Sequence, residues 1–203
     1  NTKTGEKRNL FIPWGDRQYQ YKFNNLAQTV GDDDKNIYVL NRSGFYHFDK
    51  NYRLVYRFDY YQSEEIPSAY FIFGRELLRI DNRRLLIVGS DGLYIYYKAE
   101  KKLKKIKAGD EPLLTGFLNL PTSEYRFFET APGLLLTIKR NTDSIFFTDF
   151  ERKETTASKS PVLFSEQEVS WKSRLFPAGG TSFYLTGQYS GFYRLYINRQ
   201  TGA

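Results

Sequence analysis

The chain has 203 residues, enough for one large domain or two small ones with a real core, and a net charge of +7. It has no Cys, which excludes a disulfide framework, a thiolate metal site and a Cys nucleophile; a single His excludes a His-rich zinc site. Aromatics reach 18% through 17 Tyr and 17 Phe, a composition that suits strands and excludes disorder.

Four apolar segments recur at intervals of about 48–49 residues: Ile37 to Leu40, Leu85 to Val88, Leu134 to Thr137 and Phe183 to Thr186. A period that long marks stacked supersecondary units. A second aromatic strand follows each segment: Gly44 to Asp49, Gly92 to Tyr97, Ser144 to Asp149 and Gly191 to Tyr196. The turns between them are Asn41 to Gly44, Gly89 to Gly92, the longer Lys139 to Asp143, and Gly187 to Gly191. They supply the Gly, Asn and Asp that tight hairpins use.

Polar turns then lead to more polar strands, Tyr52 to Phe58, Lys102 to Lys107 and Glu154 to Ser158. Their lysines suit an outer edge. A further strand precedes each hairpin, around Leu26 to Val30, Tyr70 to Ile80, Tyr125 to Thr130 and Ser170 to Phe176. No segment of helical length keeps a 3.6-residue apolar period.

Four antiparallel strands per unit, repeated every 40 to 50 residues, predict an all-β propeller of about four blades. One domain covers residues 1–203, with hairpins near 37–58, 85–107, 134–158 and 183–202. Residues 1–13 complete a blade, because Glu6 to Pro13 reads as an outer strand whose inner three are missing. The repeats either close a four-blade ring or form part of a larger propeller. The chain begins with Asn and contains no Met, which reads as a processed form or a piece. No apolar run approaches the roughly 18 residues that span a bilayer, and no signal peptide remains.

Chemistry-bearing residues are few. His47 sits mid-strand between aromatics and reads as a packed histidine rather than a catalytic one. Paired acids, the requirement of a glycosidase, could come from Asp32 to Asp34, Glu64, Glu65, Asp91, Asp110, Glu111 or Asp143, and spacing selects none. Asp32 to Asp34 reads as a strand-initiating turn rather than a calcium loop. The run Lys98 to Lys107 reads as a solvated edge strand rather than a nucleic-acid or anionic-lipid site. No cofactor, metal or nucleic-acid partner is expected.

Ligand binding is expected on the ring face that gathers the turns between second and third strands and the connections between blades. Its candidates are Arg42, Tyr60, Tyr61, Glu65, Asp91, Arg140, Asn141, Gln188 and Tyr189, a set suited to sugar stacking and hydroxyl hydrogen bonds.

Residues 26–49 (LAQTVGDDDKNIYVLNRSGFYHFD) and 82–97 (NRRLLIVGSDGLYIYY) resemble the propeller repeats of bacterial two-component regulators. The repeat's usual Trp is Tyr38 or Ile87 here, and that family has more than four blades. A four-blade count is similar to the hemopexin-like fold, whose Asp-Ala signature and terminal cysteines are missing. The regulator resemblance implies a periplasmic or extracellular sensing domain for a small molecule or glycan, itself not spanning the membrane. Further blades or a homo-oligomer are the implied protein partners. The alternatives are a carbohydrate-active enzyme using paired carboxylates, or a protein-interaction scaffold; the reading favours a non-enzymatic binding domain.

Overall fold

The computed structural model describes residues 26–41, 44–59, 74–165, 169, 173–179, 182–187 and 191–196. They form fifteen strands and two short 3₁₀ helices. The first sheet contains β1 (Leu26–Gly31), β2 (Ile37–Asn41), β3 (Gly44–Phe48) and β4 (Leu54–Asp59). The second contains β5 (Gly74–Arg79), β6 (Arg84–Gly89), β7 (Leu93–Tyr97) and β8 (Lys102–Lys105). The third contains β9 (Tyr125–Ala131), β10 (Leu134–Lys139), β11 (Thr142–Asp149) and β12 (Glu154–Phe164). The fourth contains β13 (Leu175–Gly179), β14 (Ser182–Thr186) and β15 (Phe192–Tyr196).

Every sheet is antiparallel and keeps sequence order from inner to outer strand. This is the propeller-like blade architecture that the repeat predicts. Among the described residues the sheets do not close into a ring. Among the described residues the fourth sheet has three strands; the segment Glu6 to Pro13, expected to complete it, lies outside those residues. No helix among them is long and apolar enough to cross a membrane.

Alternation along each strand sends successive side chains to opposite faces, so each inner sheet buries both. Tyr38, Leu40 and Phe45 of the first sheet meet Leu77, Leu85, Ile87, Tyr94 and Tyr96 of the second. Leu78, Leu86, Val88 and Ile95 then meet Tyr125, Phe127 and Leu135 of the third. Phe128, Leu136 and Ile138 meet Phe183 and Leu185 of the fourth. Full burial of one such side chain contributes about 1.5–3 kcal/mol, so the stacking faces hold the array together.

Three strand limits differ from the sequence reading. Arg140 and Asn141 alone make the β10–β11 turn, because Asn141 takes a left-handed φ of 57°. β12 continues through Ser160 to Phe164, a stretch expected as a connecting loop; a register shift between Thr142 and Ser144 accommodates the added pairing. β13 begins at Leu175, with Ser173 and Arg174 outside the strand; the expected start near Ser170 lies outside the described residues.

Gly44 is required for space, not for a positive φ. A Cβ there would overlap the Phe58 carbonyl of the adjacent strand. Gly44→Ala should therefore cost at least about 2 kcal/mol in urea unfolding. Gly116→Ala, where a Cβ meets nothing within 4 Å, should stay within about 0.5 kcal/mol of the parent.

His47 lies in the core between the first two sheets. Its Nδ1 shares a 2.8 Å hydrogen bond with the Tyr96 hydroxyl, and its ring lies 4.5 Å from that of Tyr38. Burial lowers its pKa to about 4, with Lys101 and Lys98 adding to the effect and Asp32 opposing it. The unfolded chain, titrating near 6.5, then binds more protons between these values. The stability His47 secures is complete above about pH 6.5 and is lost as pH falls toward 4, about 3 kcal/mol in all. Urea midpoints across pH 4–7 should show this loss, and His47→Gln should flatten it.

Candidate functional site

Each inner strand starts at one end of its sheet, here the upper face. The turns between second and third strands lie at that end as well. Of the nine candidate ligand residues, Asp91, Arg140 and Asn141 are placed there by the β6–β7 and β10–β11 turns. Arg42, Tyr60, Tyr61, Glu65, Gln188 and Tyr189 lie outside the described residues.

Asp91 is turned toward the outer strands. Its carboxylate accepts from the Tyr94 hydroxyl at 2.8 Å and from Lys105 Nζ at 2.7 Å. Asn141 serves as the turn corner, with its amide donating to the Phe164 carbonyl at 2.7 Å. Arg140 is buried, and its amide donates to the Glu124 carbonyl at 2.8 Å. Its charge acts on Glu76, which places Arg140 in a polar group around the inner strands.

Its other members, Glu76 and Arg126, were not among the sequence candidates. Glu76 on β5 and Arg126 on β9 form an ion pair at 2.6 Å, Nη1 to Oε1. They are 4% and 5% exposed, so the pair is held in the protein interior. The other Glu76 oxygen accepts the Phe127 amide at 2.9 Å. Burial pushes the Glu76 carboxyl above the ordinary carboxylate range, against the pull of Arg126, the Phe127 amide, Arg140 and Arg75. Burial likewise draws Arg126 below the ordinary arginine value, with Glu76 opposing it and Arg174 and Arg75 adding to it. The Arg126 guanidinium lies 5.5 Å from the Phe128 ring.

The same arrangement recurs along the inner strands. Gln28 Oε1 accepts the Leu77 amide at 2.7 Å. Glu129 accepts the Arg79 amide at 2.7 Å and its Nε at 2.6 Å. The inner edge of a sheet presents amides that ladder pairing leaves unused, and buried amides need acceptors. Side chains from neighbouring blades supply them. The sequence signal is a charge inside an apolar inner strand, in Arg75-Glu76-Leu77-Leu78 and Tyr125-Arg126-Phe127-Phe128, one period apart.

Other candidate acids have structural partners. Asp32 accepts from Tyr38 at 2.7 Å and from the Asn36 amide at 3.0 Å, closing the β1–β2 turn, with Lys98 at 3.4 Å. Burial would raise its pKa, but the bonds from Tyr38 and Asn36 hold the carboxyl below the usual range. Glu111 pairs with Arg84 at 2.7 Å, Asp110 with Lys104 at 2.7 Å, and Asp143 with Lys159 at 3.2 Å.

Connections between blades were expected on the ring face. The second one departs from that: it reaches Arg84 at the lower end through Glu111 and returns to the Ser90 carbonyl through the Thr122 hydroxyl. Its 3₁₀ helix Pro112–Phe117 buries Leu114 and Phe117 in the core between the second and third sheets. In the basic run, Lys102 and Lys104 lie exposed on β8 while Leu103 faces inward.

No protein-family model and no curated protein matches the chain. Solved structures do. The extracellular domain of a putative hybrid two-component system from B. thetaiotaomicron aligns with TM-score 0.55 and 13% identity, over 89% of this chain and 21% of that one. A second such domain from B. thetaiotaomicron gives 0.52 and 18%, over 88% and 24%. An auxiliary nutrient binding protein from Bacteroides thetaiotaomicron gives 0.54 and 16%, over 89% and 40%. The chain thus spans less than half the length of each of these three structures, and the likeness is one of fold.

Proposed function

We propose that the chain is a non-enzymatic, extracytoplasmic ligand-sensing domain of a bacterial signalling protein, with the ligand at the upper face. The observation that carries this reading is the likeness to extracellular domains of two-component systems at TM-scores of 0.55 and 0.52. It is supported by the partnering of Asp32, Asp91, Asp110, Glu111 and Asp143, each of which already serves a turn or an ion pair. The ligand is a small molecule or glycan, and Tyr60, Tyr61, Arg42, Glu65, Gln188 and Tyr189 are its proposed contacts beside Arg140 and Asn141. Asp91 contributes to the shape of the turn.

Calorimetry against a panel of neutral and acidic oligosaccharides tests this. Binding by at least one, weakened about tenfold or more in Tyr60→Ala or Tyr61→Ala, supports a stacking site. Turnover of a bound glycan would move the chain to the carbohydrate-active class. Absence of binding to every member would remove the glycan reading.

A further inference from the structure

The inner strands β1, β5 and β9 share one position. Gln28, Glu76 and Arg126 pair across to Leu40, Val88 and Ile138 of the second strands. At the first two positions a side-chain oxygen accepts an inner-strand amide of the next sheet, that of Leu77 or Phe127. A guanidinium has donors and no acceptor, so Arg126 cannot repeat this service toward the fourth sheet. It turns Nη1 back to Glu76 at 2.6 Å. Its Nε is buried without a hydrogen-bond partner, in a residue that is 5% exposed. A buried donor left unpaired costs stability, and the repeat gives no structural reason to place one here.

Arg75 adds a second cation beside it. The register shifts between Gly74 and Glu76, which makes Arg75 the extra residue of a bulge, and bulges re-aim side chains. The first sheet has the same shift between Leu26 and Gln28, where the extra residue is Ala27. The fold therefore accepts an uncharged residue at this position. Arg75 is half-buried, and among the described residues no hydrogen bond or ion pair engages its side chain. Its charge acts on both Glu76 and Arg126.

Glu76 has both oxygens engaged already, one by Arg126 and one by the Phe127 amide. Two guanidiniums from neighbouring inner strands thus share one carboxylate. They lie in the first residues of β5 and β9, at the upper end of those strands, with half-buried Arg75 on the side that solvent reaches. Like charges repel strongly in a protein interior, and an added anion relieves that repulsion.

We propose that Arg75 and the Nε of Arg126 hold an oxyanion of the ligand, a carboxylate, sulfate or phosphate group, with Glu76 bracing Arg126 in place. Guanidiniums recognise such groups through paired N–H donors. The assignment rests on the upper-face reading and narrows its ligand to an acidic one.

Arginine Nε–H resonances report on this site directly. The intact polypeptide that contains the chain, grown with isotope-labelled arginine, is titrated with sulfate, phosphate and galacturonate at constant ionic strength. The Arg126 signal is assigned through its contact with the Phe128 ring. It should move saturably with at least one of these anions, and Arg75→Gln should raise the concentration required about tenfold or more. Arg75→Lys, which keeps the charge and loses the fork, should fall between. Lys102→Gln, on the exposed strand β8, should match the parent. An Arg126 signal that no anion moves, or equal titrations in the parent and both Arg75 variants, would overturn the proposal. A neutral oligosaccharide that binds while every anion leaves Arg126 unmoved would sink this inference and keep the upper-face reading. Saturation by an anion with no oligosaccharide bound would keep this site and remove the glycan reading.

Discussion

Glu76→Ala should lower the stability of the domain by about 3–5 kcal/mol, the cost of leaving one member of a buried ion pair without its partner. Two groups are stranded at once. Arg126 keeps its charge at 5% exposure, and the Phe127 amide loses its 2.9 Å acceptor. Glu76→Gln retains an oxygen for the amide and removes only the charge, so its loss should be smaller. Combining Glu76→Leu with Arg126→Leu removes both charges, and the pair should cost less than the two single changes added together. Urea denaturation of the five variants, Glu76→Ala, Glu76→Gln, Glu76→Leu, Arg126→Leu and the double change, measures this. If Glu76→Ala unfolds within about 1 kcal/mol of the parent, solvent reaches the pair and the interior assigned to it is wrong.

Tyr96→Ala should be comparably damaging, at about 3–5 kcal/mol. Its fully buried ring sits among Phe45 at 4.7 Å, Tyr56 at 5.0 Å, His47 at 5.8 Å and Tyr38 at 6.1 Å between centroids. Removing it opens a cavity where the first two sheets meet, and that junction is where unfolding should begin. Tyr96→Phe keeps the ring and deletes the hydroxyl that meets His47 Nδ1. Its cost should be about 1–2 kcal/mol. The single histidine resonance should also move, which gives a readout independent of overall stability. Equal losses for Ala and Phe would place the energy in the hydrogen bond rather than in the packing.

The architecture was legible because its signal is repetitive. Four hairpins one period apart state the blade, and β2, β3, β6 and β7 bury nearly every residue as their apolar runs imply. The boundary misses have local causes. β12 runs on through Ser160 and Pro161 because its outer edge has no neighbour in the sheet, and a proline is tolerated on an edge. The β10–β11 turn is tighter than its polar stretch because Asn141 takes the left-handed φ that its residue type tolerates, which leaves Thr142 and Asp143 to pair in β11. The polar group on the inner strands was harder to see. Glu76 and Arg126 look like solvent-facing charges when each strand is read by itself. Only the stacking of β5 beside β9 shows that each lies against the other, fifty residues away in sequence and 2.6 Å apart in space.

The bonds from Gln28 to Leu77, Glu76 to Phe127 and Glu129 to Arg79 join residues separated by 49 to 51 positions. Each of the first three sheets therefore lends to, or borrows from, an adjacent sheet a contact it cannot make internally. An insertion inside an inner strand would carry these oxygens out of register with the amides they serve, so the spacing of the repeat is held by three side-chain contacts as well as by apolar packing.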